Sequence, residues 1–501
     1  MKKSFTVHSE KLPNKGLMSA VSASVLLAIL SCAGGCASLT VDYESDIVLP
    51  ENYTGFISGE KNEKALNEWW RLFNDDCLSR LIAAAIEANG DLRTARLRYE
   101  TALHEEGLSR ADLGPKLSLG GGILGGRGSV DTSGGRIDST DSQSALFTGL
   151  QGSWEPDFFG EKQSRADAAG YRALAASDSI NAVQTSVTAL LARKYFEVLY
   201  LQERRGILLE NIANLKDLRR YAEGRFRAGQ ATAYDITDIG NRITEAESEL
   251  GIIDSGAEAS VRAIAVLTGV PPQNFSIDNL PSGLPDGIPE PPAGFVPGDL
   301  LLRRPDILSK RNEINARAAM VASAKADLYP RFNISFLGQT GRIELHAGPD
   351  ARGWGSFLSG TVSVPVFTNG RIRENIEARN SEMKVTLAEY DTMILKALKE
   401  VDDGYAGITA ETDRIAALEK GLSEAVKLRK EADKLFRYGR ADFDAMVNAE
   451  TRKLSFEAKL SESRYRRIGA LIDLYRALGG GWNYEPDASA EKSTAEDGNE
   501  P

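Results

Sequence analysis

Hydrophobic residues recur at a heptad spacing within a proline-free stretch of the chain, residues 157–270. Leu201, Leu208 and Leu215 lie seven residues apart and place one apolar seam along a helix. The pattern predicts a single helix over residues 161–228, which would be about 100 Å long. A compact domain of ordinary size has no need of such a helix, so the chain is predicted to span a distance.

The helical pattern stops once within this stretch, at 225–229, and then resumes. The residues that continue it are aliphatic and helically spaced: Ile236, Ile239, Ile243 and Leu250. We therefore predict two long helices that fold back on each other around a turn at residues 226–234.

Sequence words from the first half of the chain return in the second half. Ala-Asp-Leu-Gly-Pro at 111–115 is matched by Ala-Asp-Leu-Tyr-Pro at 326–330. The turn word Phe-Arg-Ala-Gly at 226–229 is matched by Phe-Arg-Tyr-Gly at 436–439. A second proline-free run, which begins at Val366, mirrors the first. Matching words in the same order indicate a tandem duplication.

Each repeat also contains two stretches in which apolar and polar residues alternate. A period of two predicts β-strands with one apolar and one polar face. The apolar positions of the four predicted strands are Leu117 and Leu119; Leu146, Leu150 and Trp154; Phe332, Ile334 and Phe336; and Val362, Val364 and Val366. Strands of about ten residues fit a tilted membrane-spanning strand. The Gly-, Ser- and Asp-rich connections at 126–144 and 341–355 are predicted to be exposed loops.

Four strands are too few to close a barrel. In lipid, an open sheet edge leaves backbone groups unsatisfied, and each such group costs several kcal/mol. If these strands enter a membrane, several chains must therefore contribute to one barrel, and a trimer with twelve strands is the simplest closure.

The predicted order within each repeat is helix, strand pair, long helix, turn and long helix, with the first helix at about 77–112. The predicted segments are a signal peptide (1–35), an extended N-terminal segment (36–62), the first repeat (63–280), a Pro-rich linker (281–299), the second repeat (300–484) and a disordered acidic tail (485–501).

The N-terminus has the three parts of a secretory signal peptide: lysines, an apolar run and small residues. Two glycines directly precede Cys36, which resembles a bacterial lipobox, so Cys36 is predicted to carry a lipid. Cys32 is a competing site, and plain cleavage without lipidation is a further alternative. Ala37 stands where an aspartate would favour the inner membrane, so the sorting rule for such lipoproteins favours the outer membrane.

Charge and composition exclude several function classes. A formal net charge of −11 argues against a nucleic-acid partner. Three scattered histidines offer no paired metal-ligand spacing and no Ser/His/Asp grouping. Residues 120–125 fit G-x-G-x-x-G, but no helix is predicted after them, so the dinucleotide fingerprint lacks its context. We therefore predict no enzyme activity, no catalytic residue, no cofactor and no metal. Cys77 is expected to be a small core residue.

Taken in order and in duplicate, the motifs resemble the TolC-like outer-membrane efflux factor family, in its lipoprotein branch, often called NodT-type. The residues that carry the resemblance are Cys36-Ala37-Ser38 with Asp42-Tyr43, the Trp-Trp-Arg-Leu-Phe-Asn-Asp word at 69–75, the two Ala-Asp-Leu-x-Pro words, Arg303-Arg304-Pro305-Asp306 and the two Phe-Arg-x-Gly turns. The resemblance covers nearly the whole mature chain, to about Trp482.

The resemblance implies an internally duplicated α+β membrane protein. Its long antiparallel coiled-coil hairpins and its four strands per chain would complete a homotrimeric, twelve-stranded β-barrel in outer-membrane lipid and an α-helical tunnel below it. The implied partners are a periplasmic adaptor (membrane fusion) protein and an inner-membrane efflux pump. The implied function is passive export of drugs or other small toxic compounds. An outer-membrane duct for type I protein secretion and a non-channel coiled-coil envelope lipoprotein are the alternatives.

The resemblance also assigns roles to residues at the two turns. The periplasmic tips that would contact the adaptor are Phe226, Arg227, Gly229, Phe436, Arg437 and Gly439. The candidates for the pore constriction are Asp235, Asp442, Asp444 and Asn448, the last at a position where the family commonly carries aspartate. A ring of carboxylates at a narrow neck would attract cations. The alternative is that the aspartates are solvated helix starts and the arginines ordinary last-turn cations, both favoured by the helix dipole.

Overall fold

The structure is a computed structural model, which describes residues 43–45, 47–127, 130–132, 135–137, 142–344 and 351–484. The predicted signal peptide, the predicted lipidation site Cys36, its alternative Cys32 and the acidic tail lie outside these residues.

The secondary structure follows the duplicated order. The first repeat contains α1 (Glu63–Asn67), a 3₁₀ helix (Trp69–Phe73), α2 (Asp76–Ala88), α3 (Gly90–Ala111), β1 (Lys116–Arg127), β2 (Val130–Thr132), β3 (Gly135–Ile137), β4 (Ser142–Trp154), α4 (Glu161–Arg227) and α5 (Ala233–Leu267). The second contains α6 (Pro297–Arg303), α7 (Pro305–Ala326), β5 (Arg331–Glu344), β6 (Ala351–Ser363), α8 (Arg371–Arg437) and α9 (Phe443–Ala477). Helices α4 and α8 have 67 residues each, and α5 and α9 have 35 each. The predicted long helix and the duplication are confirmed.

The chain forms two compact units. One contains the four long strands, within residues 105–169 and 315–383. The other contains residues 44–104, 170–314 and the chain from 384 onwards. Across the described part of the chain, no helix has both the length and the apolar character needed to cross a membrane.

The four long strands form one antiparallel sheet in the order β1-β4-β5-β6, so β4 and β5 join the two repeats. Leu119 pairs with Leu150, and Trp154 pairs with Ile334. Strands β1 and β6 lie at the two edges and have no further strand partner among the described residues. Strands β2 and β3 form a separate two-stranded ribbon inside the segment that was expected to be loop.

The register sorts the side chains of the sheet into two faces, because directly paired residues point the same way. The apolar face, as we name it, carries large apolar side chains on all four strands: Leu117, Leu119, Ile123, Leu146, Leu150, Trp154, Ile334, Phe336, Trp354, Leu358 and Val362. All of them are exposed in the single chain, Trp354 to 82% and Leu119 to 78%. The opposite face carries mainly Ser, Thr, Asn, Gln and Gly. The predicted alternation is confirmed.

Several predicted boundaries are wrong. The loop predicted at 341–355 is shorter, because β5 extends to Glu344 and β6 begins at Ala351. Strand β6 ends at Ser363, so Val364 and Val366 lie beyond it and not in it. The single helix expected over 77–112 is replaced by α2 and α3, which are separated at Asn89.

Asn89 both interrupts the helix after α2 and caps the start of α3. Its backbone is extended, with ψ 132°. Its side-chain oxygen accepts hydrogen bonds from Asp91 N at 2.9 Å and Leu92 N at 3.1 Å, which caps α3, and its amide donates to the Leu267 carbonyl at 2.9 Å. The side chain therefore satisfies the amides that the break frees and attaches α3 to the end of α5.

The aromatic residues of the word at 69–75, Trp69, Trp70 and Phe73, are buried. Trp69 stacks on Tyr475 with ring centroids 5.4 Å apart, and Phe73 packs on Phe196 at 4.8 Å. Cys77 is buried beside them, as expected. These contacts join the start of the first repeat to the last helix of the second, so the two repeats share one core in this unit.

The Arg-Arg-Pro-Asp word forms a buried ion cluster. Arg304 lies 2.7 Å from Asp306 Oδ2 and 2.9 Å from Glu400 Oε2. Burial acts to raise the pKa of Asp306, but the hydrogen bond and charge of Arg304 outweigh it and hold that pKa below its usual range. The motif therefore fixes the start of α7 to α8 through the paired charges of Arg304 and Asp306.

The heptad seam packs α4 against α5. The buried members of the seam are Leu208, Ile212, Ala246 and Ile253, with Leu201 and Leu250 packed beside them. Ion pairs flank it on both sides: Arg204–Glu249 at 2.8 Å, Lys216–Glu247 at 2.7 Å and Arg205–Asp254 at 2.7 Å. The apolar seam supplies most of the stability of this hairpin, because exposed ion pairs contribute under about 1 kcal/mol each.

Candidate functional site

Both helix-to-helix turns end their first helix in the same way. Gly229 has φ 77°, and the following amide, Gln230 N, donates to Arg225 O at 2.8 Å. Gly439 has φ 67° and is followed by the same bond, also 2.8 Å. This is the Schellman arrangement, in which a left-handed residue, usually glycine, satisfies the last carbonyls of a helix. The glycine of each Phe-Arg-x-Gly word therefore sets the backbone of the turn.

Asp235 belongs to a capping box at the start of α5. Its Oδ2 accepts from Thr232 N at 2.8 Å and from Thr232 Oγ1 at 2.8 Å. Thr232 Oγ1 accepts in turn from Asp235 N at 3.3 Å. The backbone hydrogen bond from Thr232, with the one from its hydroxyl, lowers the pKa of Asp235. This geometry favours the helix-start alternative for Asp235.

Asp442 is the N-cap residue of α9, the position that Thr232 holds in α5, but its side chain makes no capping hydrogen bond. Instead, its Oδ1 lies 3.5 Å from Arg225 Nη1. Arg225 lies in the last turn of α4, next to the first turn, and Asp442 lies at the start of α9, next to the second. The two turns are therefore linked by an ion pair within one chain.

A larger apolar contact lies behind this ion pair. The tip cluster, as we name it, consists of the buried Leu215, Leu218, Ala222, Ile239, Ile243 and Val447, with Ile236, Phe443 and Met446 packed against it. Val447 comes from α9 and inserts between α4 and α5. The two hairpins are thus held together next to their turns by a shared core.

Three aromatic rings cover the tip cluster. Tyr221 lies 4.7 Å from Phe443 and 6.2 Å from Phe436, and Phe436 lies 5.3 Å from Phe443, measured between ring centroids. Phe436, which the sequence assigns to the adaptor contact, is half-buried in this group, whereas Phe226 is 46% exposed. The two turns therefore differ in what they present.

Two arginines and two tyrosines are exposed beside the turns. Arg227 donates to Glu223 O at 3.3 Å, and Arg437 lies 3.1 Å from Asp433. Sequence reasoning missed the tyrosines: Tyr234 is 77% exposed and Tyr438 is 80% exposed. The sequence did offer a signal for them. Each is an aromatic residue beside a turn glycine or a helix cap, at a position outside the apolar seam.

Asp444 and Asn448 lie one helical turn apart on α9 and share an exposed face. Asp444 has no ion-pair partner in the part of the chain that the structure describes. The buried Val447 points away from this face, into the tip cluster. Asp444 is therefore the constriction candidate whose charge no contact of the chain uses.

Neither a metal site nor a dinucleotide-binding loop is found among the described residues. The described residues contain no group of three or more His, Cys, Asp or Glu side chains placed to hold a metal ion. Residues 120–125, which fit the dinucleotide pattern, lie within strand β1, where no helix follows to bind a phosphate.

The order of elements, the duplicated hairpins and the open sheet agree with a comparison to known families. The family described as outer membrane efflux protein matches residues 81–270 and 296–480. The chain belongs to this family. The gap between the two matched segments, residues 271–295, overlaps the Pro-rich linker, and one segment lies on each side of it. The resemblance inferred from the sequence is confirmed at the level of the family.

Relatives in the outer membrane efflux protein family align over almost their whole length. The chain is 26% identical over 481 residues to the pyoverdine export outer membrane protein OpmQ of Pseudomonas aeruginosa, covering 95% of this chain and 99% of that protein. It is 27% identical over 473 residues to the outer membrane protein OprJ of the same species, covering 92% and 96%. The solved structure of the outer-membrane channel OprN aligns with a TM-score of 0.76 at 25% identity, covering 88% of this chain and 99% of that one.

The tip cluster should hold the two hairpins together more strongly than the ion pair does. Val447 is 2% exposed, so Val447→Ala should cost on the order of 2 kcal/mol. The Asp442 side chain is 73% exposed, so loss of its pair with Arg225 should cost under about 1 kcal/mol. Amide hydrogen exchange in the first two turns of α9 should therefore rise more in Val447→Ala than in Asp442→Asn. The reverse order would make the ion pair the main contact.

Proposed function

We propose that this protein is the outer-membrane export duct of a tripartite efflux system, through which drugs or other small toxic compounds pass without energy input from the duct itself. The observation that carries the proposal is the sheet: four strands with a continuous exposed apolar face and two open edges. Membership of the outer membrane efflux protein family supports the same conclusion.

The apolar face is the part of the molecule in contact with lipid. Its leucines, isoleucines and tryptophans would be costly in water, and they extend across all four strands, with Arg342 and Arg352 on the same face beside Leu146 and Trp354. The mainly polar opposite face then lines an aqueous interior, which is the arrangement of outer-membrane barrels. Three chains supply the twelve strands of one barrel, as a homotrimer.

The two helical hairpins extend into the periplasm and end at the two turns. There the exposed Phe226, Arg227 and Arg437 meet the adaptor protein, which couples the duct to an inner-membrane pump. Phe436 acts from behind this surface, since it packs on Tyr221 and Phe443. Gly229 and Gly439 serve through the backbone shape that they permit.

The constriction of the duct is formed by the exposed face of α9 that carries Asp444 and Asn448. Three copies of Asp444 place a ring of carboxylates at the neck, which attracts cations. Asp442 and Asp235 contribute less to this ring, because one pairs with Arg225 and the other caps α5.

A lipid on Cys36 anchors the chain to the outer membrane. Tyr43 Oη donates to Asn315 Oδ1 at 2.9 Å, which fixes the start of the described chain to α7. The seven residues back to Cys36 can span at most about 24 Å. Asn315 lies about 16 Å along α7 from its end at Ala326, just before strand β5 begins. An acyl chain on Cys36 can therefore reach the level at which the strands start.

The duct should conduct ions when the purified protein is added to planar lipid bilayers. Asp444→Asn should lower the preference of this conductance for cations, and Asn448→Asp, which adds a carboxylate to the same face, should raise it. Reversal potentials under a salt gradient measure both changes. The absence of conductance would refute the duct, whereas unchanged selectivity in both variants would remove this face of α9 from the constriction.

The lipid anchor can be tested separately. Cells fed labelled palmitate should incorporate the label into the wild-type protein and not into Cys36→Ser. Label that persists in Cys36→Ser but disappears in Cys32→Ser would move the site to Cys32. Absence of label from the wild-type protein would leave plain signal cleavage.

A further inference from the structure

The two repeats are equivalent enough to be superimposed residue by residue. Residues of α4 correspond to those of α8 at an offset of 210, and both turns repeat at this offset. The starts of β1 and β5 correspond at an offset of 215. The contact of β4 with β5, between the first and second repeat, is therefore a template for a contact of β6 with a β1 strand that one chain cannot make with itself.

Large side chains face glycines where β4 meets β5. Gly152 pairs with Phe336, Leu150 with Gly338 and Phe147 with Gly341. A Cβ atom on Gly341 would lie 2.8 Å from the Leu146 carbonyl oxygen and 3.3 Å from the Cβ of Phe147. A glycine is thus required opposite Phe147.

We propose that β6 of one subunit pairs antiparallel with β1 of the next copy of this chain in one register, in which Phe357 lies opposite Gly126 and Val362 opposite Gly121. The proposal rests on the proposed function, since it assumes that copies of the chain close a barrel. The register is obtained by applying the two offsets to the observed β4–β5 pairs. Adding 210 to Phe147 gives Phe357, and subtracting 215 from Gly341 gives Gly126.

The two faces of the sheet agree with this register. Val362 and Leu358 belong to the apolar face, and so do the positions of Gly121 and Gly125 on β1. A slip by one residue would place apolar positions of one strand opposite polar positions of the other. The transferred register keeps the apolar face continuous from one subunit to the next.

The sizes of the side chains exclude slips by two residues. In the transferred register four pairs place a large residue of one edge opposite a glycine of the other: Phe357 with Gly126, Val362 with Gly121, Leu358 with Gly125 and Ile123 with Gly360. A slip by two residues in one direction places Val362 opposite Leu119, and in the other direction opposite Ile123. In both slips Gly360 would face another glycine, so the alternation of large and small would be lost.

Two glycines of β1, Gly120 and Gly126, have no explanation within one chain, unlike Gly121 and Gly122, which lie against Phe147 of β4. A Cβ atom on Gly126 or Gly120 would meet nothing within 4 Å, in contrast to the crowded Gly341. Glycine weakens a strand interior and often marks a close approach of other groups. Strand β6 of the neighbouring subunit, at Phe357, supplies that approach at Gly126, as the backbone of β4 at Leu146 and Phe147 does at Gly341.

The long helix of the second repeat, α8, also has apolar side chains that the single chain leaves exposed. Val385 and Leu395 of α8 are 59% and 53% exposed, whereas their equivalents in α4, Ala175 and Thr185, are 5% and 6% exposed. Ala175 is covered by α7, since its carbonyl accepts from Ser309 Oγ at 2.8 Å. The equivalent cover for α8 is α3 of the next subunit. On α3, the residue equivalent to Asn312 is Leu97, which is 53% exposed.

Disulfide trapping tests the register in the full-length protein, in a Cys77→Ser background. The transferred register pairs Ser363 with Gly120, so the double variant Ser363→Cys/Gly120→Cys should form covalent dimers and trimers on mild oxidation. The matched intrachain control is Ser153→Cys/Ser335→Cys, the equivalent pair that the sheet already places in register. Variants for the two slips are Ser363→Cys/Ser118→Cys and Ser359→Cys/Gly126→Cys. Disulfides need Cα atoms within about 4.4–6.8 Å, which diagonal neighbours at about 7–8 Å do not meet.

Non-reducing gels should show the covalent trimer for the transferred register and monomers for both slips. Cross-linking of a slipped pair in its place would overturn the register. Oxidation of the intrachain control without any cross-link between subunits would overturn the contact itself. Bilayer conductance of the same reduced proteins separates the proposed function from the proposed contact. Conductance without the cross-link would support the duct and contradict the contact. The cross-link without conductance would support the contact and contradict the duct.

Discussion

Unpaired backbone groups at the two edges of a four-stranded sheet are the constraint on which this structure depends. Strands β1 and β6 each present amides and carbonyls that no other described strand of the chain accepts. In water such an edge is tolerable, but in lipid each unsatisfied group costs several kcal/mol. The exposed apolar face of the same sheet requires lipid on one side. Both requirements are met only when copies of the chain join edge to edge.

Because the chain is duplicated, one kind of contact between repeats is enough to meet this constraint. Each repeat contributes two strands and a helical hairpin, and the joint between repeats that is made once inside the chain is, in the proposed assembly, made again between chains. Along the length of the hairpin, an apolar seam packs the two helices together, and this seam requires only a heptad pattern. At the turns, a small shared core and one exposed ion pair connect the hairpins. Burial of one valine outweighs the ion pair there, because the ion pair is open to solvent.

Much of the fold follows from local patterns in the sequence. The heptad leucines placed α4 within one residue of its observed bounds, and the alternation at Phe332–Phe336 identified β5 and its faces. The break at Asn89 was missed because the apolar pattern continues through it, and only the side-chain bonds to Asp91, Leu92 and Leu267 make the break favourable. The end of β6 was misplaced because Val364 and Val366 keep the alternation beyond the last strand pair.

The candidate site was less predictable, since an aspartate near a helix start serves several purposes. Asp235, Asp442 and Asp444 look alike in sequence, yet one caps α5, one pairs with Arg225 and one faces solvent. The position of Phe436 depends on Tyr221 in the other repeat, which no local pattern indicates.

The number of chains in the assembled protein tests the central claim most directly. Native mass spectrometry of the protein released from detergent micelles should give the mass of three chains. A single chain that keeps the circular dichroism signal of its strands in the same detergent would contradict it, because the edges of β1 and β6 would then be stable without a partner.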